Sequence, residues 1–255
     1  MYAEERQQAM AQLVADRGRL SVAVLAERFD VTTETVRCDL TALERIGLVR
    51  RVHGGAIPAR SLAVIESALV ERDQSNTGAK DAIARAATAL LPPAGGTVVL
   101  DAGSTTSRLA AAIPRDLPLT VFTNSVPIAG RLASMSHVEL HLLPGRVRLT
   151  TQAAVGADTV AALQELRVDV VFLGTNGLTV GHGLSTPDRD EAATKRAIVR
   201  SGRQVVALSD ASKVGQDTAV RFAGIDELDV LVTDDSISAA CRGELEDTGV
   251  EVVVA

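Results

Sequence analysis

The chain has 255 residues, of which 46% are hydrophobic, and it carries a formal net charge of −6. Its apolar runs are four or five residues long, too short to cross a bilayer, and no charged-then-apolar leader opens it. We therefore expect a cytoplasmic protein without a membrane partner. The two cysteines, Cys38 and Cys241, stand far apart without metal-ligand spacing, so we expect neither a disulfide framework nor a metal or cofactor.

The first 57 residues predict three short helices followed by a β-ribbon. Helix-period patterns cover 4–17, 22–29 and 33–45, and the run 48–52 predicts a strand before a Gly-Gly turn. The residues expected to face inward are Met10, Leu13, Val14, Val24, Leu25, Phe29, Val36, Leu40 and Leu43. This arrangement is typical of a winged helix-turn-helix, in which two helices hold a third at a fixed angle for a DNA major groove.

Charge alone does not indicate nucleic-acid binding. Residues 1–57 contain eight Arg and eight acidic side chains, while the remaining 198 residues carry the whole −6. A neutral N-terminal part and an acidic remainder do not indicate the basic surface that nucleic-acid binding usually requires. The DNA-binding prediction therefore depends on the local pattern.

Residues 58–78 lack clean periodicity. Proline, serine, asparagine and glycine interrupt them, so we predict a linker with one poorly defined helix. The predicted domains are a winged helix-turn-helix over 1–57, this linker, and a second domain over 79–255.

From Lys80 onward, helix-period segments alternate with short β-branched runs. These runs are 97–101, 119–123, 138–143, 169–173, 204–210, 229–234 and 250–254. Strands that are apolar on both faces and are separated by amphipathic helices predict a mostly parallel sheet covered on both sides. The predicted fold class is therefore α/β, with an N-terminal winged helix-turn-helix.

Polar residues collect where four of these strands end, in the clusters 101–106, 123–125, 174–177 and 210–213. In an open parallel sheet, ligands bind outside the carboxyl ends of the strands. Four clusters at one edge of the sheet therefore predict a binding site.

The cluster 101–106 predicts an anion site. A glycine followed by small hydroxyl residues at a helix start offers free N–H groups and the positive end of the helix dipole. The chain has only three lysines against 23 arginines, and two of them, Lys80 and Lys213, would supply compact charges to a phosphate. The same residues also fit an ordinary capped turn with surface lysines.

Glu191 and Lys195 stand at i, i+4 on a predicted helix that follows the stretch 183–188. This spacing commonly gives a plain surface ion pair of little energetic value. The Gly-Leu-Ser-Thr-Pro sequence before the helix equally favours a place in the binding site. Asp188 is a candidate cap for the helix.

Together these residues resemble the DeoR family of transcriptional regulators. The stretch Val31-Thr-Thr-Glu-Thr-Val-Arg-Cys-Asp-Leu40, with Leu43, Gly47 and Arg51-Val-His-Gly-Gly-Ala56, is similar to the family's DNA-binding signature. The motifs similar to its sensor domain are Asp101-x-Gly-Ser-Thr-Thr106, Thr123-Asn124, Phe172-Leu-Gly174, Gly183-Leu184, Asp210-x-Ser-Lys213 and Thr233-Asp234. That sensor domain is related to ribose-5-phosphate isomerase and glucosamine-6-phosphate deaminase. The stretch 174–188 further resembles repressors of sugar phosphotransferase and fructose genes in high-GC Gram-positive bacteria.

The resemblance implies a DNA-reading helix, a wing on the DNA backbone and an effector pocket. The residues expected at DNA are Thr32, Thr33, Thr35, Val36, Arg37, Arg50, Arg51 and His53. Those expected to bind the effector are Lys80, Asp101, Gly103, Ser104, Thr105, Thr106, Asn124, Asp210 and Lys213, with Glu191 and Lys195 as further members. The implied partners are double-stranded operator DNA, a phosphorylated sugar with fructose 1-phosphate as the candidate, and further copies of the chain in a homodimer or homotetramer.

Two positions depart from the family pattern. Cys38 stands where a second Arg is usual, and loss of a base-contacting Arg would weaken DNA binding by about 1–3 kcal/mol. Pro144-Gly145 stands where a Gly-Gly pair is common, which predicts a different shape at the rim of the pocket.

Three functions are open at this point. The first is a repressor whose DNA affinity falls when a sugar phosphate binds. The second is a sugar-phosphate isomerase or deaminase fused to a DNA-binding head, with Glu191 or Asp210 as general base. The third, suggested by Cys38 and the neutral head, is a sensor that no longer binds DNA. The active-site loop motifs of such enzymes are not recognisable here, so we expect the repressor and not an enzyme.

Overall fold

A computed structural model of the chain describes residues 3–45, 48–52, 54–58 and 69–255. The chain divides into two compact units, Met1–Ile65 and Glu66–Ala255. Gly47, expected to end the third helix, and His53, expected at DNA, lie outside the described residues. Among the helices of the described ranges, none is long and apolar enough to span a membrane.

The first unit contains three helices and a three-stranded antiparallel sheet. Its elements are α1 (Ala3–Arg17), β1 (Leu20–Ser21), α2 (Val22–Phe29), α3 (Thr33–Arg45), β2 (Val49–Val52) and β3 (Gly55–Pro58), with strand order β1-β3-β2. Ser21 caps α2, because its Oγ accepts a hydrogen bond from the Val24 N–H at 3.2 Å. The predicted winged helix-turn-helix is confirmed.

The core of this unit consists of Met10, Val14, Leu25, Val36, Leu40, Leu43, Val49 and Ala56. Leu13 and Phe29 are partly buried against it. The prediction that Val24 faces inward is wrong, since its side chain is 47% exposed. Leu25 and Phe29, four residues apart, define the inner face of α2, and Val24 lies about 100° around the helix from Leu25.

The second unit is built on a seven-stranded parallel sheet. Its strands are β4 (Thr97–Leu100), β5 (Leu119–Thr123), β6 (Val138–Leu142), β9 (Val168–Leu173), β12 (Gly202–Leu208), β14 (Val230–Thr233) and β15 (Glu251–Val254). Their order across the sheet is β15-β14-β12-β9-β4-β5-β6. Each predicted β-branched run forms one of these strands, so the predicted α/β fold is confirmed.

Helices cover both faces of the sheet. They are α4 (Leu69–Gln74), α5 (Thr77–Ala87), α6 (Ser104–Ala112), α7 (Val126–Leu132), α8 (Ala157–Gln164), α9 (Arg189–Ser201) and α10 (Ala239–Glu246). One apolar cluster joins α5, α6 and α7 to one face, with Ile83, Leu109 and Ile128 fully buried. A second cluster joins α8, α9 and α10 to the other face.

Five short antiparallel strands were not predicted. They are β7 (Arg146–Arg148) with β8 (Ala153–Val155), and β10 (Gly177–Thr179), β11 (Gly183–Thr186) and β13 (Val220–Ala223) in the order β10-β11-β13. Each has three or four residues, too few for an alternating pattern to stand out in the sequence.

Residues 69–78, expected within the linker, fold with the second unit as α4 and the start of α5. Cationic side chains hold α4 to the rest of the unit, because Arg108 donates to the main-chain oxygen of Asp73 at 2.9 Å and Lys80 donates to that of Ser75 at 2.7 Å. Such contacts across the chain leave no periodic pattern in the sequence.

The direction of chain progress reverses at β4. From β4 the chain continues to β5 and β6 on one side, and then crosses to β9, β12, β14 and β15 on the other. The carboxyl ends of β4 and β9 therefore flank a crevice, which is where open α/β sheets bind their ligands.

Candidate functional site

A cavity lies at this crevice, within the second unit. It is lined by Arg72, Ser75, Lys80, Ala102, Gly103, Ser104, Thr105, Thr106, Thr151, Gly174, Thr175, Asn176, Glu191, Lys195, Leu208, Ser209, Asp210 and Lys213. Three of the four polar clusters predicted at strand ends thus meet around one space. Four cationic and two acidic side chains line it, so the lining suits an anionic ligand.

The amino end of α6 opens onto the cavity. Ser104, Thr105 and Thr106 are buried in its first turn, and the preceding Gly103 provides no side-chain cap. The first N–H groups of a helix have no acceptor within it, and they carry the positive end of the helix dipole. This end is therefore ready to accept an anion.

Asn124 supports this loop from behind and does not line the cavity. Its Oδ1 accepts a hydrogen bond from the Ala102 N–H at 3.0 Å, and its Nδ2 donates to the Ala154 main-chain oxygen at 3.3 Å. The side chain is 2% exposed. Its role in the structure is to fix the backbone between β4 and α6.

A buried ion pair joins Asp101 to Lys195 beneath the cavity. Both side chains are buried, and the Lys195 ammonium also donates to the Gly174 main-chain oxygen at 2.9 Å. Burial raises the pKa of the Asp101 carboxyl, and the adjacent ammonium of Lys195 lowers it. The pair ties the end of β4, the end of β9 and α9 together.

Glu191 and Lys195 do not form the surface pair that their spacing allows. Both are buried, and Lys195 pairs with Asp101. Glu191 accepts hydrogen bonds from the Thr151 hydroxyl, from Arg148 at 3.2 Å and from the Thr186 hydroxyl at 3.3 Å. The first two donors lie on the hairpin of β7 and β8, and the third lies on β11. Asp188 caps α9, as predicted, by accepting from the Glu191 N–H at 2.9 Å.

Lys80 lines the cavity but is already bonded. Its ammonium donates to the main-chain oxygens of Arg72 and Ser75, at the carboxyl end of α4. Burial lowers the pKa of Lys80, nearby Arg108 and Lys213 lower it further, and Asp210 opposes them. Lys80 therefore links the wall of the cavity to α4.

Asp210 and Lys213 lie on the loop after β12. The Oδ1 of Asp210 accepts from Asn76 at 3.1 Å, and from the Ser212 N–H and hydroxyl. In the described part of the chain, the Lys213 ammonium makes no hydrogen bond or ion pair. It is the lysine that has a free ammonium at the cavity.

The predicted effector residues thus fall into two groups. Lining the cavity are Lys80, Gly103, Ser104, Thr105, Thr106, Glu191, Lys195, Asp210 and Lys213, whereas Asp101 and Asn124 stand behind the lining. Nine lining residues were not among the predicted effector residues: Arg72, Ser75, Ala102, Thr151, Gly174, Thr175, Asn176, Leu208 and Ser209. Six of them lie in the predicted strand 204–210 or in the predicted clusters 101–106 and 174–177. Arg72 and Ser75 fell in the presumed linker, and Thr151 lies in the turn of an unpredicted hairpin, so these three had no strand-end signal.

Pro144-Gly145 does not line the cavity, so its expected effect on the pocket rim is not seen there. The Pro144 main-chain oxygen accepts from the Thr159 hydroxyl at 2.6 Å. A Cβ on Gly145 would lie 2.1 Å from that hydroxyl, and the residue has a φ of +139°. Close packing of the backbone against α8 explains this glycine.

In the first unit, α3 and the residue before it carry five of the eight residues predicted at DNA. Thr33 and Arg37 are exposed, and Thr32 caps the helix by accepting from the Thr35 N–H at 3.1 Å. Val36 is fully buried in the core, so the prediction that it approaches DNA is wrong. The helix turns its side chain inward, on the same face as Leu40.

The wing contributes Arg50 and Arg51 from β2. Arg51 is exposed and donates to the Thr41 hydroxyl at 2.8 Å, which fixes β2 to α3. Cys38 is also exposed on α3. The next residue, Asp39, is buried in an ion pair with Arg6 at 2.7 Å, which raises the pKa of the Arg6 guanidinium.

Both units match known family models. Residues 6–61 match the DeoR-like helix-turn-helix domain, and residues 75–235 match the DeoR C terminal sensor domain. The chain belongs to the DeoR family of transcriptional regulators.

Relatives of this DeoR-family protein match over almost its full length. It is 37% identical to the HTH-type transcriptional regulator GlpR of Haloferax volcanii over 253 residues, covering 99% of this chain and 98% of that one. It is 30% identical to the HTH-type transcriptional repressor GlcR of Bacillus subtilis, covering 100% and 97%. Among solved structures, ribose 5-phosphate isomerase A of Methanocaldococcus jannaschii is 18% identical over 55% of each chain, with a TM-score of 0.41.

Proposed function

We propose that this DeoR-family protein represses carbohydrate genes and leaves its operator when a phosphorylated sugar binds the second unit. One observation carries the proposal: the uncapped amino end of α6 and the free ammonium of Lys213 share one cavity. Each of these features binds phosphate in proteins, the first through N–H groups and the second as a point charge.

The phosphate would bind at the first turn of α6. The N–H groups of this turn and the hydroxyls of Ser104 and Thr105 donate to its oxygens, and Lys213 neutralises its charge. Because Ser104 and Thr105 have no other hydrogen-bond partner for their hydroxyls among the described residues, these groups need not break an existing bond.

The sugar hydroxyls would face the opposite lining. All the hydrogen bonds found for the Asp210 carboxylate within the described residues fall on its Oδ1. Its Oδ2 is therefore suited to accept a hydroxyl, and the amide of Asn176 offers a donor and an acceptor nearby. This pattern favours a polyhydroxylated ligand.

An enzymatic role is less well supported. Of the two general bases considered for it, Glu191 and Asp210, Glu191 accepts three hydrogen bonds through its two oxygens, and all three donors are part of the protein. A base must be within reach of a substrate proton. The relatives described above are also named as regulators.

The residues of α3 outside the core would read the operator, with exposed Thr33 and Arg37 and partly buried Thr35 at bases or phosphates. Arg50 and Arg51 would contact the DNA backbone. The protein works in the cytoplasm as a homodimer or homotetramer, since helix-turn-helix proteins read paired half-sites. Fructose 1-phosphate is the candidate effector, from the resemblance of the stretch 174–188.

Thermal unfolding of the full chain with a panel of sugars, each with and without its phosphate, tests the proposal. A ligand that prefers the folded state raises the melting temperature. At a hundredfold excess over its dissociation constant, it adds about 2.7 kcal/mol to the free energy of unfolding. We expect a rise with at least one phosphorylated sugar and none with its unphosphorylated partner. Equal shifts for both members of every pair, or turnover of a sugar phosphate at ordinary enzymatic rates, would contradict the proposal.

A further inference from the structure

The edge strand β6 is open on its outer side. It pairs in parallel with β5 on one side, and no other strand in the described ranges pairs with it. Its sequence, Val138-Glu-Leu-His-Leu142, contains no proline, lysine or arginine. Proteins usually protect such an edge with those residues, because an open edge recruits another strand.

The hydrogen bonds to β5 show which backbone groups point outward. The Leu119 N–H donates to the His137 oxygen at 3.2 Å, and the Leu143 N–H donates to the Thr123 oxygen at 2.9 Å. The odd-numbered residues of β6 therefore direct their backbone N–H and C=O groups toward β5. By alternation along the strand, Leu140 and Leu142 direct their N–H groups away from the sheet.

The side chains of β6 are complementary to a second copy of the same strand. If two copies run antiparallel about a two-fold axis at Leu140, each Leu140 faces its counterpart through outward backbone groups. Glu139 then lies opposite the partner's His141, and Val138 lies opposite the partner's Leu142. Within one strand the Glu139 carboxylate and the His141 imidazole already contact each other at 3.1 Å, and the two side chains remain 71% and 46% exposed. Pairing across the axis would therefore join two such in-chain pairs into one cluster.

The strand at the other edge of the sheet, β15, is not complementary to a second copy of itself. β15 reads Glu251-Val-Val-Val254, with an acidic residue at one end and no basic residue to oppose it. Two antiparallel copies would place Glu251 against an apolar side chain. Self-pairing is therefore favoured at β6 and not at β15.

We propose that two copies of this chain associate through β6, so that the two sheets become one continuous sheet across the two-fold axis. The interface is isologous, as closed dimers require. It rests on the homo-oligomer of the proposed function, for which it names the surface, and it needs neither DNA nor effector, so it can be tested without either.

Charge exchange within β6 tests the interface by sedimentation velocity of the full chain over a concentration series. Glu139→Lys places a cation opposite the partner's His141, and His141→Glu places two carboxylates opposite each other. Because the two-fold axis doubles each change, we expect either substitution to raise the dissociation constant about tenfold, or 1.4 kcal/mol. The double variant Glu139→Lys/His141→Glu restores opposite charges and should return to within about threefold of the parent.

Glu251→Lys on β15 is the matched control and should leave association unchanged. A parent chain that stays monomeric would overturn the proposal, as would single variants that associate like the parent. A double variant no better than the single ones would overturn it as well.

A covalent trap gives a second, positive readout. In a chain with Cys38→Ser and Cys241→Ser, the pair Glu139→Cys/His141→Cys brings thiols together across the axis, since opposed residues that are not hydrogen-bonded have Cα atoms about 4.5 Å apart. Mild oxidation should give a disulfide-linked dimer on a non-reducing gel. Absence of that dimer would count against the register.

Discussion

The buried pair of Asp101 and Lys195 connects the two halves of the crevice. Lys195 comes from α9, Asp101 from the end of β4, and the Gly174 main-chain oxygen from the end of β9. The loop that presents the helix amino end begins at Asp101. Its position therefore depends on a largely buried ionic contact, and removing one partner of such a contact strongly destabilises a protein.

Asp101→Asn should destabilise the protein by about 3 kcal/mol, because it leaves the Lys195 ammonium buried without a counter-charge. Urea unfolding followed by circular dichroism measures the change. Asp169→Asn is the control: that carboxylate accepts from the Thr97 N–H at 2.9 Å, but 42% of its side chain is exposed. We expect a loss of less than about 1 kcal/mol for the control. Equal losses for both variants would show that burial of the pair has no special cost.

Single residues also show how far the sequence could predict the site. Ser104, Thr105 and Lys213 could be predicted as site residues, because each follows a strand that is recognisable from its β-branched run. The ionic partner of Lys195 could not be predicted. The i, i+4 spacing indicated Glu191, whereas the contact in the structure is with Asp101, 94 positions away. Long-range pairing of charges depends on which strands become neighbours, and periodicity does not encode that order.

We expect the short helix α4 to transmit the effector signal, because it is the first described element of the second unit along the chain.

 It is held by two cations that also touch the cavity region. Arg108 donates to the Asp73 oxygen at 2.9 Å and to the Ser104 oxygen at 3.0 Å, and Lys80 holds the Ser75 oxygen. A phosphate that draws on Lys80 would therefore loosen the end of α4.

Arg108→Gln should uncouple the two ligands while leaving each able to bind. Arg108 lies on α6, so without its guanidinium α4 loses the bonds that join Asp73 to α6, and effector binding at α6 is no longer passed to α4. Fluorescence anisotropy of operator DNA, with and without the phosphorylated sugar that gives the largest thermal shift, measures the coupling factor. We expect this factor to fall about fivefold or more, with the affinity for the sugar phosphate changed less.

Arg85→Gln on the exposed side of α5 is the matched control and should keep the parent's coupling. A coupling factor for Arg108→Gln equal to that of the parent would exclude α4 as the transmitting element. Loss of sugar-phosphate binding itself would instead place Arg108 in the pocket.

Among the elements, the long ones were predictable and the short ones were not. The seven parallel strands can be recognised in the sequence as apolar runs, because both faces of a covered parallel sheet are buried. The hairpin of β7 and β8 has three residues in each strand, and α4 has six residues. Their stability comes from tertiary contacts, such as the bond from the Leu69 N–H to the Thr150 oxygen at 2.9 Å, and not from local pattern.

In the whole molecule, the proposed function links operator binding by the first unit to effector binding by the second. If effector binding lowers operator affinity, operator binding must lower effector affinity by the same factor. The formal charge of −6 gives no general attraction to DNA, so we expect operator affinity to depend on the few arginines of α3 and β2.

The most direct test of this linkage is titration of the parent chain and of Lys213→Ala on operator DNA with the phosphorylated sugar identified by thermal shift. Removing a charge-assisted bond to phosphate costs about 1.5–3 kcal/mol, so the variant should need roughly ten to a hundred times more sugar phosphate to release the operator. Its operator affinity without the sugar should match that of the parent and of the charge control Arg203→Ala, whose side chain is 80% exposed. Release of Lys213→Ala at the same sugar concentration as the parent would contradict the account.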